Sequence, residues 1–260
     1  MPAMALKPVK YDRPPVLEVS CGIAFRLERP LKSAHVGLYW SKVAEEFPRC
    51  DDAAPVQMIL EAPGSGGAVE YEFLNMPELR RAWLINEPGT HLLQLQEDRF
   101  IFNWKRSGDS DYPSFAHVGA EFWRHWNQYR AFLVDQKLGE PLPIQCELTY
   151  TNFIPGELDF LRDIRLESAD DRFLPAPEAI NFRSQFPLPD GEGRLHVQVS
   201  TGNLLNAGRG HRLDLTARGL PKDVSMPGCE QWFSVAHDWI THGFTDLTTK
   251  QAHDLWGRTA

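Results

Sequence analysis

The sequence predicts an α+β fold in which a twisted, mostly antiparallel sheet is packed by long helices. The first observation is strict alternation of apolar and polar residues over Leu92–Lys105, on both sides of a polar turn at Glu97–Asp98. A period of two is typical of strands with one buried face. The second is a helical pattern over Ser114–Leu138, whose aromatic residues form one stripe. The third is the order strand, helix, several strands, long helix, which favours segregated helices and strands.

The first half begins with a strand over Val16–Leu27. Ser33 is the predicted N-cap of a helix that Pro48 ends. The turn Glu87-Pro88-Gly89-Thr90 places Pro and Gly where a type II turn requires them. Further strands are predicted at Val56–Ala62, Val69–Leu74 and Arg81–Asn86. They lead into the Leu92–Lys105 hairpin and then into the long helix, which Gly139 caps.

The second half repeats this order more loosely. It begins with a strand over Pro143–Pro155, followed by a short helix around Leu158–Leu166. A helix over Cys229–His242 is expected to end at Gly243, and Thr248 with Gln251 forms a capping box for a last helix ending at Gly257. Strands are predicted at Ala179–Phe186, Arg194–Thr201 and His211–Arg218.

This organisation predicts an N-terminal arm over residues 1–13, a first half over 14–140 and a second half over 141–260, folding as one unit. Two related strand–helix–strands–helix halves are typical of saddle and helix-grip architectures, in which a curved sheet wraps a helix. Such sheets leave a concave face or a cavity, and pockets of this kind bind small molecules.

Composition argues against several functional classes. The net charge is -8 and no sustained basic run exists, which disfavours nucleic-acid binding because Lys and Arg supply most phosphate affinity. The four cysteines form no CxxC pair, and no apolar run could span a membrane. The N-terminus lacks the apolar core of a secretory signal, which predicts a cytoplasmic protein with reduced thiols. No cofactor is predicted.

Several segments along the chain form a recognisable series. They are PPVLEV (Pro14–Val19), LYWSKVAEEFP (Leu38–Pro48), LQLQEDRFIFNWK (Leu93–Lys105), YPSF (Tyr112–Phe115), CELTYTNFIP (Cys146–Pro155), WITHGFTDLTT (Trp239–Thr249) and HDLWG (His253–Gly257). Taken in this order, they resemble a sporadically distributed bacterial protein family of uncharacterised function. The resemblance spans nearly the whole chain and implies bacterial origin and one co-folding unit. It implies no mechanism and carries no catalytic residues.

The C-terminal histidines raise the question of a metal site, because imidazole and carboxylate bind several divalent metals. His237 and His242 are five residues apart, which does not place them on one face of a helix. A solvated or capping role is therefore favoured for these two and for His253, and no metal ligand is predicted. Two further groups are assigned to solvated or flexible loops: the acidic residues Glu157, Asp159 and Asp163, and the glycine-bearing segments PGSGGA and NAGRG.

The hairpin supplies the main candidate binding residues. Phe100, Phe102 and Trp104 share one face of the second strand, and so many large aromatics on one face are typical of a core. The alternative is base stacking beside cations, as in single-strand binders. If the aromatics are core, the opposite face is exposed to solvent or to a partner. The candidates there and just beyond the strand are Arg99, Asn103, Lys105 and Arg106.

Tyr150 and Asn152 are the remaining candidates for a ligand or partner surface. Strand alternation places them on one side of Pro143–Pro155, with Cys146 and Leu148. Asn152 is polar on an otherwise apolar side, so it either lines a pocket or caps a turn before Pro155, and the turn is favoured.

The absence of a convergent catalytic motif favours a non-catalytic binding or accessory protein that acts on a partner protein or a small ligand. A homodimer is left open. The alternatives are an enzyme with a non-standard site, such as a metal-assisted hydrolase, and a nucleic-acid binder that uses the open face of the sheet.

Overall fold

A computed structural model describes residues 9–57, 59–61, 79–108, 111–156, 161, 178–204 and 208–259. Its centre is one antiparallel sheet of nine strands, which confirms the predicted α+β class. The strands are β1 (Val16–Arg26), β2 (Arg49–Ala53), β3 (Arg81–Ile85), β4 (His91–Gln96), β5 (Arg99–Lys105), β6 (Leu142–Pro155), β7 (Asn181–Pro187), β8 (Arg194–Leu204) and β9 (Gly208–Gly219). The helices are α1 (Ser33–Val43), α2 (Phe115–Asp135), α3 (Met226–Leu247) and α4 (Lys250–Leu255).

The first strands of the two predicted halves pair with each other at the middle of the sheet. The spatial order is β2-β3-β4-β5-β1-β6-β9-β8-β7. In each half, therefore, the first strand is central and the last strand before the long helix lies beside it. This order matches the saddle analogy, while a common origin of the two halves stays a prediction.

One face of the sheet is apolar and carries the helices. Phe100, Phe102 and Trp104 of β5 are buried, which confirms the prediction that they are core. Phe100 stacks on Tyr129 of α2 with ring centroids 5.2 Å apart. Beneath the second half, α3 approaches β8 so closely that a Cβ added at Gly243 would lie 3.0 Å from Leu195 Cδ2. Side chains from both halves join one hydrophobic core.

Two strand predictions in the first half differ from the structure. The described residues of Val56–Ala62 form no strand and cross the sheet instead, whereas β2 occupies a segment that was not predicted as a strand. β2 is an exposed edge strand of sequence RCDDA, so burial imposed no apolar pattern on it. The predicted strand at 69–74, the predicted helix at 158–166 and the PGSGGA loop, apart from Leu161, lie outside the described residues.

The C-terminal helices also differ from the prediction. α3 does not stop at Gly243 but continues to Leu247, because the missing side chain permits the close approach to β8 rather than a helix end. The N-cap of α4 is Thr249, not Thr248, whose buried hydroxyl donates to the Phe244 carbonyl instead. Among the described residues, no helix has the length and apolar character needed to cross a membrane.

Candidate functional site

The second face of the sheet is polar and contains a groove of about 260 Å³. The groove lies over the central strands, and its walls carry amides, hydroxyls and charged side chains, with few apolar ones. Alternation places these residues opposite the core side chains of the same strands. Residues that define its chemistry are Glu18, Arg81, Gln94, Arg99, Asn103 and Glu147.

A ladder of side-chain hydrogen bonds crosses four neighbouring strands at this groove. Arg81 Nη1 on β3 donates to Gln94 Oε1 on β4 over 2.8 Å. Gln94 Nε2 donates to Asn103 Oδ1 on β5 over 2.6 Å, and Asn103 Nδ2 donates to Glu18 Oε1 on β1 over 2.5 Å. The ladder therefore has a cation at one end and a carboxylate at the other, which fixes the orientation of both amides.

Arg81 is the least satisfied cation of the groove. Its Nε is buried without a hydrogen-bond partner, and among the described residues no carboxylate pairs with it. Burial, and then the positive charge of Arg99, lower the pKa of Arg81, although an arginine stays protonated at neutral pH. Arg99 itself is paired with Asp98 at 3.1 Å. Of the two guanidinium groups at this end of the groove, only Arg99 therefore has a carboxylate partner, while the carboxylate of Glu18 lies at the other end of the ladder.

The indole of Trp83 supports the positive end of the groove. The guanidinium carbon of Arg81 lies 5.4 Å from the ring centroid, and Lys105 Nζ lies 5.5 Å from it. Trp83 Nε1 also donates to Gln94 Oε1 over 3.2 Å. Contacts of this kind position cations over an aromatic face and hold the ladder in place.

A segment that we call the strap, formed by Val56, Gln57 and Ile59–Glu61, crosses the polar face and lines the groove. Two glutamines of the sheet hold the strap, because each side-chain amide bonds to one backbone N–H and one backbone carbonyl of the strap, as a neighbouring strand would. Gln96 accepts from Val56 N (2.8 Å) and donates to the Val56 carbonyl (3.0 Å). Gln145 accepts from Glu61 N (3.0 Å) and donates to the Ile59 carbonyl (3.0 Å).

The strap ends in a network of charges. The nearly buried carboxylate of Glu61 accepts from Arg194 Nη1 at 2.6 Å and lies 2.5 Å from His196 Nε2. Arg218 lies 4.0 Å from it and donates to Glu147 at 2.5 Å. The guanidinium groups of Arg194 and Arg218 are therefore paired with carboxylates of the protein, unlike that of Arg81.

The structure divides the hairpin candidates among three environments. Arg99 and Asn103 line the groove, and Lys105 lies beside it over Trp83. The expectation that Asn103 is exposed is wrong: it is 3% exposed, because the ladder encloses it. Arg106 follows the strand end, and its Nη2 donates to the Pro14 carbonyl away from the ladder.

Tyr150 and Asn152 lie on the opposite, helix-bearing side of the sheet. Tyr150 is buried, and its hydroxyl is 2.8 Å from that of Tyr112. The favoured turn-capping role of Asn152 is wrong, because β6 continues to Pro155 and Asn152 Nδ2 donates to the Leu213 carbonyl of β9. That bond satisfies a buried amide within the sheet. A role of Tyr150 or Asn152 in binding stays a prediction.

The C-terminal histidines occupy separate environments. His237 stacks on Phe115 with ring centroids 4.3 Å apart, and burial lowers its pKa to about 4. His253 is buried rather than solvated, with Nε2 2.8 Å from Thr248 Oγ1. Among the described residues, these histidines belong to no group with metal-ligand spacing. The acidic residues 157, 159 and 163 lie outside the described part of the chain.

Sequence reasoning missed Glu18, Arg81, Gln94, Gln145 and the strap. A signal was present in β4, where Gln94 and Gln96 alternate with buried leucines in a strand that lies inside the sheet. Arg81 lies two strands away from Arg99, so only the strand order brings these cations together.

Comparisons with known proteins do not indicate which class of protein this groove belongs to. No protein-family model matches the chain, and neither the curated proteins nor the solved structures gave a significant match. The resemblance to the sporadic bacterial family therefore stays a prediction.

Proposed function

We propose that this chain is a non-catalytic binding protein that holds a small metabolite with a carboxylate or phosphate group in the groove of its polar face. The observation that carries the proposal is Arg81 at the groove: its buried Nε has no hydrogen-bond partner, and its guanidinium pairs with no carboxylate among the described residues. An oxyanion supplies both an acceptor and a compensating charge, and arginine pairs with such groups in a planar, bidentate geometry.

The rest of the groove supports recognition of polar groups on the same molecule. The ladder presents prealigned amides between Arg81 and Glu18. Such preorganisation lowers the cost of binding, because the side chains lose little freedom. A volume of about 260 Å³ lies just below the range of about 300–1,000 Å³ for ligand pockets, which favours a small metabolite.

Nucleic-acid binding on this face is the weaker alternative. Arg212 is paired with Asp214 at 2.7 Å, and Arg218 is paired with Glu147. Cations that are already neutralised release few counterions from a phosphate backbone, so they contribute little affinity.

A metal-assisted enzyme is the second candidate function. On the helix-bearing side, Glu46, Glu121, Arg124 and His125 form a mutually bonded cluster of titratable groups. Clusters with shifted pKa values are often functional sites.

A thermal-shift screen tests the proposed function. The purified protein is heated with small carboxylates and phosphates, each matched by its uncharged amide or alcohol. Binding to the native state raises the free energy of unfolding by RT ln(1 + [L]/Kd), and the Tm rises with it. We expect at least one anion, and not its uncharged analogue, to raise the Tm. If no anion does so, or if the uncharged analogues act equally, the proposal is overturned.

We also propose that the protein acts in the cytoplasm.

A homodimer is a further proposal, in which a second copy of the chain pairs with the edge strand β7. Among the described strands β7 pairs only with β8, and it exposes Phe182 and Phe186. Size-exclusion chromatography with light scattering tests the dimer: a monomer at all concentrations would contradict it.

A further inference from the structure

A cluster on the helix-bearing side of the sheet, well separated in the fold from the groove, has the composition of a metal site. Glu121 and His125 lie one helical turn apart on α2, and Glu46 comes from the turn after α1. One ligand atom from each of these three residues lies within 4.8 Å of the other two. We call this group, together with Arg124, the α2 cluster.

Arg124 occupies the centre of the α2 cluster. Its Nη2 lies 2.6 Å from Glu46 Oε1, 2.6 Å from Glu121 Oε2 and 2.8 Å from His125 Nε2. An amino nitrogen of a guanidinium has two protons, so it cannot give three acceptors a full hydrogen bond each. Contraction of these distances by roughly half an ångström or slightly more would give the 2.0–2.2 Å of zinc–oxygen and zinc–nitrogen bonds.

His125 is fixed so that Nε2 is the only ring nitrogen with polar contacts. The ring is fully buried, stacked on Phe102 and edge-on to Phe47, at centroid distances of 5.6 and 5.2 Å. Among the described residues its Nδ1 has no hydrogen-bond partner. All the polar interactions of this imidazole are therefore directed into the cluster.

We propose that Glu46, Glu121 and His125 bind a divalent transition metal of the zinc class, and that Arg124 holds the site as a surrogate cation in its absence. Glu46, Glu121 and Arg124 are partly exposed, so an ion can enter and the arginine can turn outward. Arg124 Nη1 also donates to the second oxygen of Glu46 at 3.2 Å, so the arginine must release both oxygens of this carboxylate when a metal displaces it.

A four-coordinate site would be completed by water or by a further imidazole. His117 precedes Glu121 by one turn of α2, and His91 of β4 packs on Phe102, as His125 does. Two carboxylates and one imidazole, with a further imidazole nearby, form a donor set that suits zinc and its neighbours better than calcium or magnesium.

The test is titration of chelator-treated full-length protein with Zn²⁺ by calorimetry, and with Co²⁺ by visible absorption. We expect one ion per chain. Arg124→Met removes the competing cation and should tighten Zn²⁺ binding about tenfold, whereas Glu121→Gln should weaken it by at least about tenfold. His35→Gln, which changes a partly exposed histidine of α1 outside the α2 cluster, should bind Zn²⁺ like the wild type.

Glu121 is partly exposed, so its substitution should leave the fold intact, which circular dichroism checks. The proposal is overturned if Arg124→Met binds no Zn²⁺, or if Glu121→Gln binds it as tightly as the wild type. The groove does not depend on this result, because Arg81 and the ladder contain none of these residues.

Discussion

The side-chain amides of Gln94 and Asn103 are diagonal neighbours on adjacent strands and are joined by a 2.6 Å hydrogen bond. Because Gln94 accepts from Arg81 and Asn103 donates to Glu18, this one bond connects the positive end of the groove to the negative end. Neither amide can exchange its oxygen and nitrogen without breaking the bonds of the other. The direction of donation is therefore the same along the whole ladder, from Arg81 to Glu18.

Asn103→Leu should break this ladder and destabilise the protein. The substitution leaves the buried Gln94 amide without its acceptor and the partly buried Glu18 without its donor. Loss of a partner by a buried polar group costs about 1–3 kcal/mol in the free energy of unfolding. Urea denaturation measures this. Gln198→Leu, which changes a half-buried amide of β8, is the control, and an equal loss in both variants would refute the role of the ladder.

The strap should be released when its two glutamine clamps are removed. In a Gln96→Ala, Gln145→Ala double variant, the backbone amides of Val56 and Glu61 lose their acceptors. We expect faster hydrogen exchange at these two amides while the amides of β5 keep their protection, since local opening need not unfold the sheet. Exchange measured by NMR resolves the two sites. Unchanged rates at both would show that other contacts hold the strap.

Stability should fall with acid partly because of His237. Burial lowers its pKa in the folded state to about 4, against about 6.5 in the unfolded chain. Between these values only the unfolded state binds the proton, so stability is lost as the pH falls from about 6.5 to about 4, by up to about 3 kcal/mol. The neighbouring charges of Asp238 and His242 act in opposite directions.

His237→Phe keeps the stack on Phe115 and removes this titration. Its free energy of unfolding should therefore decline less than that of the wild type over the same pH range. Chemical denaturation at a series of pH values measures both curves, and parallel curves would contradict the assignment.

The fold could be predicted from the sequence wherever burial imposes a pattern. Phe100, Phe102 and Trp104 alternate because one side of β5 faces the helices, and the same alternation correctly placed Arg99 and Asn103 on the other side. β2 was not predicted because its side chains are mostly exposed, so its sequence has no alternation of apolar and polar residues. Gly243 was misinterpreted because a glycine that ends a helix and a glycine that admits a neighbouring strand look alike in sequence.

The site was predictable only in part. The groove residues of the hairpin are close together in the sequence, so their alternation could be recognised. Arg81 is brought beside them by the strand order. The strap has no periodic pattern, because it is bonded to glutamine side chains and not to a neighbouring strand. Likewise the α2 cluster joins Glu46 to residues about 80 positions away. Such long-range juxtapositions depend on tertiary packing, which no local pattern encodes.

The measurement that tests the central claim most directly is native mass spectrometry of the wild type, Arg81→Gln and Arg80→Gln, each purified gently from a bacterial host. Arg80 is the matched control, an exposed neighbour paired with Asp52. We predict a bound anionic molecule on the wild type and on Arg80→Gln. Occupancy of Arg81→Gln should fall about tenfold or more, since a hydrogen bond to a charged group contributes about 1.5–3 kcal/mol. Equal occupancy of the same molecule in all three proteins would contradict the account.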